Sequence, residues 1–549
     1  MSQVVSLPEA PATALRPLCV DLDGTLVRSD TLVDSLLVLA RTHPAWLFAL
    51  PGRLLHGKAA FKEFVTSHVS LDAAHLPYNR TLLQFLHEER ARGRALYLVT
   101  GADVRLAERV AAHLGIFTGV LGSDGEVNLT GNRKLDRVRS QFGGEYAYIG
   151  NDTPDLPMLA HAAEIMVANP SLSLRLRMRL RGIRPARTFD EGPGSLWTAL
   201  RAMRMHQWAK NLLIFLPLLL AHVHDARHLL AALLAFFCFG LTASSAYITN
   251  DLFDIEADRH HPQKLLRPFA AGDLPAIAGF CMVAVFLSLA FFGARLLPMA
   301  FSGWLLLYLA TTLAYSWFLK RIALVDVLVL SGLYTLRLFA GSAATESHIS
   351  HWLAGFSVFL FFSLAMVKRF AELQNLRSSG LPPRNGRGYL VADTDQLRSF
   401  GTSSAFAAVM VFAIYISSSD VVVLYRHAQL LWLIMPLMIL WLCRIWLLAS
   451  RGELDEDPFV FALTDPMSLA IGIAVAVIAW RPVNRLKRLP LRAVAPLAVL
   501  TGVFVDDLAP HIAFNFGSEF LHGIGATRRH SGASGFVRSP VNRAIRAFE

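Results

Sequence analysis

From Leu212 to Trp480 the chain is a succession of long apolar blocks, and no other feature constrains its fold as much. They stand at about 211–222, 229–249, 275–294, 299–318, 323–343, 352–367, 401–419, 428–449 and 466–480. A helix needs about 20 apolar residues to cross a bilayer, and in hydrocarbon the backbone must satisfy its own polar groups. The blocks predict an all-α polytopic membrane domain of about nine transmembrane helices, the first and last short and the first made irregular by Pro217. Composition agrees, because hydrophobic residues make up 54% and charged residues 17% of the chain, against about 25% charge in soluble proteins.

The chain ahead of these blocks reads differently. Residues 17–25 (PLCVDLDGT) form an apolar strand ending in an acidic turn, 31–92 are largely helical, and ALYLV (95–99) and YAYI (146–149) form further buried strands. Strands separated by helices predict a parallel α/β sheet, with polar groups gathered just after the strands where such sheets place ligands. The expected organisation is an α/β domain over 1–170, an Arg-rich linker over 171–205 with Gly192-Pro193-Gly194, a membrane domain over 206–480, and a tail over 481–549 to which the sequence assigns no structure. The run from Trp46 to Pro51 has two readings, facing the bilayer or filling the core of the helical part between the first two strands, and core filling is the one expected.

The 52 Lys and Arg exceed the 41 Asp and Glu, a formal charge of +11. In a polytopic chain that excess marks loops near anionic headgroups, and it is not read as nucleic-acid binding. Arg259, Lys264, Arg267, Lys320, Arg321, Lys368, Arg369, Arg377, Arg384, Arg387, Arg398 and Arg451 fall in the loops on one side, and Arg227, Arg295 and Arg426 on the other. The positive-inside rule puts the richer side, and the first domain with it, in the cytoplasm of a bacterial-type inner membrane. No signal peptide is visible in residues 1–17. Cys19, Cys238, Cys281 and Cys443 are scattered and read as small apolar residues.

The strongest chemical signal is Asn250-Asp251-Leu-Phe-Asp254-Ile-Glu-Ala-Asp258 at the end of an apolar block. Spacings of three and four put Asp251, Asp254 and Asp258 on one helical face. Such carboxylates are costly at a membrane boundary unless a cation joins them, and Mg²⁺ takes carboxylate and phosphate oxygens together. Arg259, Lys264 and Arg267 follow; a second boundary holds Tyr315, Ser316, Lys320, Arg321 and Asp326. Carboxylates beside cations suit a metal-bound diphosphate. Arg337 lies inside an apolar block and needs a partner.

These residues resemble the UbiA family of intramembrane prenyltransferases over about 200–480. NDxxDxxxD at 250–258 is similar to its first aspartate-rich motif, and YSxxLK at 315–320 with Asp326 to its second region, with one aspartate where the family carries a pair. His206-Gln207-Trp208-Ala-Lys210-Asn211 resembles the QWxKN segment of the decaprenyl-phosphate phosphoribosyltransferase branch. The resemblance implies metal binding by Asp251, Asp254 and Asp258. It implies substrate or phosphate contacts from Lys210, Asn250, Lys264, Arg267, Tyr315 and Lys320, and a second acidic contact from Asp326. It also implies Mg²⁺ as cofactor, a polyprenyl phosphate or prenyl diphosphate lipid as one partner, and phosphoribosyl diphosphate as the other.

In the first domain Asp21-Leu-Asp23-Gly24-Thr25 resembles the first motif of the HAD hydrolase superfamily, over roughly 16–170. That implies a Rossmannoid fold with a helical cap, Asp21 as nucleophile, Asp23 as general acid and base, Thr100 holding a phosphoryl oxygen, and Lys134 as the cation, with Arg133 a close competitor. Gly150-Asn151-Asp152-Thr-Pro-Asp155 matches the acidic fourth motif with Asn151 in its first acidic place; Mg²⁺ would be held by Asp21, Asp23, Asn151 and Asp155.

The function expected is phosphoribosyl transfer to polyprenyl phosphate with a linked phosphatase. The alternative is prenyl transfer to an aromatic or other acceptor beside a non-catalytic first domain. A transporter is disfavoured because acids and bases cluster at helix ends and not at the midplane. A passively anchored hydrolase would have no need of NDxxDxxxD.

Overall fold

A computed structural model of the chain describes residues 15–191, 195–222, 225–379, 387–419, 421, 428–454 and 458–479. The tail at 481–549, Gly192-Pro193-Gly194, Arg384 and Arg426 lie outside the described residues.

Six parallel strands form the first domain: β1 (Leu18–Val20), β2 (Leu96–Asp103), β3 (Gly119–Ser123), β4 (Ala147–Gly150), β5 (Glu164–Ala168) and β6 (Arg187–Phe189), in the order β3-β2-β1-β4-β5-β6. β1 is central, with Val20 opposite both Leu98 and Ile149, so its carboxyl end lies between those of β2 and β4. Loops at the carboxyl ends of parallel strands form the ligand crevice of such sheets. The sheet runs further than the sequence reading allowed. Part of the expected linker is a helix, Leu172–Leu180, and the edge strand β6, because alternating leucines and arginines conceal a buried pair, Leu174 and Met178.

The cap contains the helices Thr31–Thr42, Leu50–Leu55 and Lys58–His68. Core filling by the Trp46–Pro51 run holds for Leu50, which packs against the core of the first domain, and fails for Trp46 and Phe48, the latter 90% exposed; Leu54 and Leu55, just beyond the run, are exposed as well. The run folds as a short 3-10 segment, Pro44–Ala49, against the Leu50–Leu55 helix, and two such short elements have too little area to enclose it.

Seven of the described helices are long and apolar enough to cross a membrane: Ala226–Phe253, Ala276–Ala294, Met299–Trp317, Val325–Thr345, His351–Arg377, Val391–Ser417 and Ala428–Ser450. The two blocks read as short form shorter elements, the second of them the Pro466–Ala479 helix. Met205–Phe215 is a 3-10 segment continued by Leu216–Leu220. At about 2.0 Å per residue a 3-10 coil covers a given length in fewer residues than an α-helix. Arg204, before this segment, pairs with Asp251, and His222, after it, is 3.3 Å from the Ala479 carbonyl at the far end of the Pro466–Ala479 helix. Close approach is what lets the irregular segment in. A Cβ at Gly341 would lie 2.2 Å from the Ile214 carbonyl, and one at Gly240 would lie 2.7 Å from the Trp208 ring.

Candidate active sites in two domains

The acidic motif sits where the Ala226–Phe253 span ends. Asp254 closes that helix and opens the next, Ile255–Arg259, at φ −96° and ψ 4°. The break separates the triad's partners. Asp251 and Asp258 meet on Arg267, whose Nη1 is 3.0 Å from Asp251 Oδ1 and 2.6 Å from Asp258 Oδ2. Arg204 forks onto both Asp251 oxygens, at 2.6 and 2.7 Å. Asp254 faces Lys320, 3.6 Å away, and Asn250, whose amide donates to it at 3.1 Å. It also pairs with Arg41, which comes from the cap and donates to the Phe253 carbonyl at 3.0 Å. The expectation of one shared face thus holds for Asp251 and Asp258, and Asp254 turns aside. Burial pushes the Asp258 carboxyl up against the pull of Arg267. Burial also brings the Lys320 ammonium down to about 8, with Arg41, Arg387 and Arg321 adding to the effect.

Above the triad lies a cavity of about 390 Å³. Eight cationic side chains line it and, among the described residues, no carboxylate does: Arg204, Lys210, Arg267, Lys320, Arg337, Lys368, Arg369 and Arg387. Lys210 is buried beneath the Tyr334 ring, 5.6 Å from its centroid. Its neighbours in the QWxKN segment are structural anchors. Trp208 donates to Ser244 Oγ at 3.0 Å, and Asn211 Oδ1 accepts from Arg337 Nε at 3.0 Å. Arg337 finds its further partners in the Tyr308 hydroxyl, at 3.1 Å, and the Leu333 carbonyl.

Tyr315 lines the cavity, and its hydroxyl accepts from Arg369 at 3.0 Å and Arg387 at 3.2 Å. Asp326 does not line it. Fully buried, it takes the Arg369 guanidinium on one oxygen and the Tyr389 hydroxyl on the other, so it positions Arg369 in place of the substrate contact expected of it. Lys264 is exposed and stands outside the cavity lining. Sequence reasoning missed Arg204 and Arg41, and saw Arg369 and Arg387 only as loop charges.

In the first domain Asp21 follows β1 and meets Lys134 Nζ at 2.6 Å. Lys134 comes from the Asn132–Phe142 helix and is buried, whereas Arg133 is exposed, which settles their competition. The same ammonium reaches Tyr148 Oη at 2.6 Å and Asp155 Oδ1 at 3.1 Å. Asp155 accepts from Lys134 and Tyr148 on one oxygen, and from the backbone amides of Asn151 and Asp152 on the other. Four donors thus converge on Asp155, which orients Lys134 beside Asp21. Asp23 Oδ1 accepts the Thr31 amide at 2.8 Å, at the start of the Thr31–Thr42 helix. Asn151 presses on Gly24, where a Cβ would fall 2.0 Å from its amide nitrogen. Thr100 is buried in β2 with Ala102 N–H bonded to its hydroxyl at 3.0 Å, and the next residue, Gly101, lines the cavity.

Burial pushes the Asp21 carboxyl up to about 6, Lys134 opposing and Asp155 assisting. Burial, joined by Asp30, pushes Asp23 up to about 7. The cavity here measures about 820 Å³, and one part of its wall is Gly272, Asp273, Pro275 and Ile277 from the membrane domain. Arg28 Nη2 closes that seam on Asp273 at 2.7 Å.

Comparison with known proteins agrees with both halves. The UbiA prenyltransferase family matches residues 211–464, and the haloacid dehalogenase-like hydrolase family matches residues 18–160. The chain is 37% identical over 462 residues to uncharacterized protein y4nM of Sinorhizobium fredii, covering 84% of this chain and 90% of that one. It is 33% identical over 295 residues to nodulation protein NoeC of Azorhizobium caulinodans, covering 51% of this chain and 92% of that one. With decaprenyl-phosphate phosphoribosyltransferase of Mycobacterium tuberculosis it shares 34% identity over 228 residues, 40% of this chain and 74% of that one. A membrane-embedded helical transferase fold with an acidic triad at one end defines the class. The chain belongs to the UbiA prenyltransferase family and carries a HAD-like domain ahead of it.

Proposed function

We propose that the chain transfers a phosphoribosyl group from phosphoribosyl diphosphate to a polyprenyl phosphate, and that its first domain is a phosphatase acting on the product. The observation that carries the reading is the cavity lined by eight cations and, among the described residues, by no carboxylate. A prenyl diphosphate with an aromatic acceptor brings one diphosphate group. Phosphoribosyl diphosphate with a lipid phosphate brings a diphosphate and two monophosphates, and guanidinium and ammonium groups in this number match the larger anionic load. The likeness to decaprenyl-phosphate phosphoribosyltransferase supports the same choice.

Asp251 and Asp258, held within reach of one guanidinium nitrogen, form an oxygen-only donor pair with Asp254 nearby, and this fits Mg²⁺. Bound there, the metal would neutralise charge on the departing diphosphate. Arg204 and Arg267 lie on the carboxylates and would turn to the phosphates, while Lys210 and Arg369 hold the remaining anionic groups. An oxygen of the lipid phosphate attacks the anomeric carbon, the bond from that carbon to the diphosphate oxygen breaks, and diphosphate leaves.

In the first domain Asp21 attacks the 5-phosphate while Asp23 protonates the ribose oxygen that departs; Asp23 then takes a proton from the water that frees the phosphate. Lys134 holds the Asp21 carboxylate for attack. The cleft's membrane-domain wall supports a product handed over near the membrane, where a tether raises effective concentration.

Purified protein given phosphoribosyl diphosphate and polyprenyl phosphate should release diphosphate with Mg²⁺, and prenyl diphosphate with an aromatic acceptor should not. The reverse result would overturn the donor assignment. Asp21→Asn should keep lipid-sugar formation and accumulate the phosphorylated lipid sugar in mass spectra; equal levels in wild type would remove the phosphatase link. In this reading the chain lies in the inner membrane with its first domain cytoplasmic, as the distribution of loop cations supports. A reporter at residue 260 should then share the side of the amino terminus, and one at 347 should lie opposite.

A further inference from the structure

The cap carries an apolar surface that nothing in either site uses. Phe48 and Leu55 are 90% and 89% exposed, and Trp46 and Leu54 are 44% and 53% exposed. The two short elements that bear them, Pro44–Ala49 and Leu50–Leu55, follow directly on the Thr31–Thr42 helix. That helix is pinned at its end to the membrane domain, since Arg41 donates to the carbonyl of Phe253, the last residue of a span. The Phe253 ring lies 5.7 Å from that of Trp317, at the close of another span on the same side of the bundle. The exposed residues therefore leave the protein where the bundle's apolar girth gives way to its charged end.

Charge points the same way. From Ser35 to Lys62 the chain has no Asp or Glu; of its four cations Arg41 is held by Asp254 and Lys62 by the Gly101 carbonyl, and Arg53 and Lys58 are exposed. Arg53 stands over the Phe64 ring, 5.0 Å from its centroid, which brings a cation beside the exposed leucines. Aromatic and leucine side chains on one surface with cations beside them are the makings of an interfacial membrane element, which sinks roughly 5–10 Å into the headgroup boundary. Cations near that surface are drawn to anionic lipid.

We infer that residues 44–55 are an interfacial anchor, seating the cap in the headgroup layer of anionic lipid beside the ends of the Ala226–Phe253 and Met299–Trp317 spans. A second copy of the chain is a poorer occupant, because the acid-free stretch would set like charges against each other.

The test uses the full chain in vesicles of phosphatidylcholine with phosphatidylglycerol, with a photoreactive benzophenone side chain at Phe48 or Leu55. Lipid adducts should form at both positions. A probe at Leu289, on the exposed face of a span, is the positive control. A probe at Glu145, just ahead of the amino end of β4 and largely exposed, should give none. Replacing phosphatidylglycerol by phosphatidylcholine, or introducing Arg53→Glu with Lys58→Glu, should cut the adduct at Phe48 several-fold and leave Leu289 unchanged. Absence of lipid adducts at Phe48 and Leu55 while Leu289 reacts would overturn the anchor, and so would adducts between two protein chains. Equal yield with neutral lipid would overturn the anionic preference.

Discussion

The proposed membrane chemistry turns on Asp251, Asp254 and Asp258, and each already faces an arginine: Arg204, Arg41 and Arg267 respectively. Asp251→Asn or Asp254→Asn should therefore abolish transfer while the chain still inserts, because a neutral amide neither binds Mg²⁺ well nor anchors its guanidinium. Wild-type turnover of either variant at limiting Mg²⁺ would exclude a metal site here. In the first domain, attack requires ionised Asp21 and protonated Asp23. With Asp21 near about 6 and Asp23 near about 7, hydrolysis of a phosphomonoester should be fastest between those values. It should fall below them as Asp21 takes a proton and above them as Asp23 loses one; a flat profile of kcat/KM from about pH 5 to pH 9 would contradict the pairing of roles. The acidic motif was legible because its members stand within eight positions of chain. Arg41 was not: its partner is Asp254, over two hundred positions away, and no local pattern announces such a pair. Asp326 misled for a related reason, since the Arg369 and Tyr389 that enclose it arrive from later elements.

At the scale of elements the apolar blocks were read well and their ends less so. The Ala226–Phe253 span extends beyond its apolar block to carry Asp251 and to end on Asp254, which hydropathy alone does not register. The segment from Met205 to Leu220 was recognised as irregular from Pro217, but its 3-10 course depends on a glycine far along the chain. Gly341→Ala should collide with the Ile214 carbonyl, a backbone atom with little room to retreat, and overpacking of this kind costs about 1–3 kcal/mol. Thermal unfolding in detergent should show the loss, and an unchanged transition would mean that the segment does not pack there. The strand-following motifs of the first domain were all legible, because parallel strands deliver residues distant in sequence to one edge of the sheet. Three strands, β3, β5 and β6, were not read, the last being three residues long in an arginine-rich stretch.

The whole molecule is held together across its domains by a buried ion pair, Arg259 with Asp34 at 2.8 Å, whose side chains are only 2% and 1% exposed. Leu37 packs beside it with Ile248, Leu252, Ile255 and Phe269. Asp34→Ala would strand a charge out of water at a cost of about 3 kcal/mol, the low end of the usual range because Ser29 and the Ala270 carbonyl still accept from Arg259. Calorimetry should then resolve a separate, earlier transition for the first domain; a single transition at the wild-type temperature would mean that the pair does not hold the domains together.

The Thr31–Thr42 helix touches Asp23 at its first residue and Asp254 near its last. Each residue of an α-helix advances the next by about 100°. One residue gained or lost between Asp30 and Arg41 would turn the guanidinium about 100° around the rod relative to Asp23, breaking the alignment of the two ends. New side chains on the outer face of this stretch leave that alignment intact, whereas a change in its length does not.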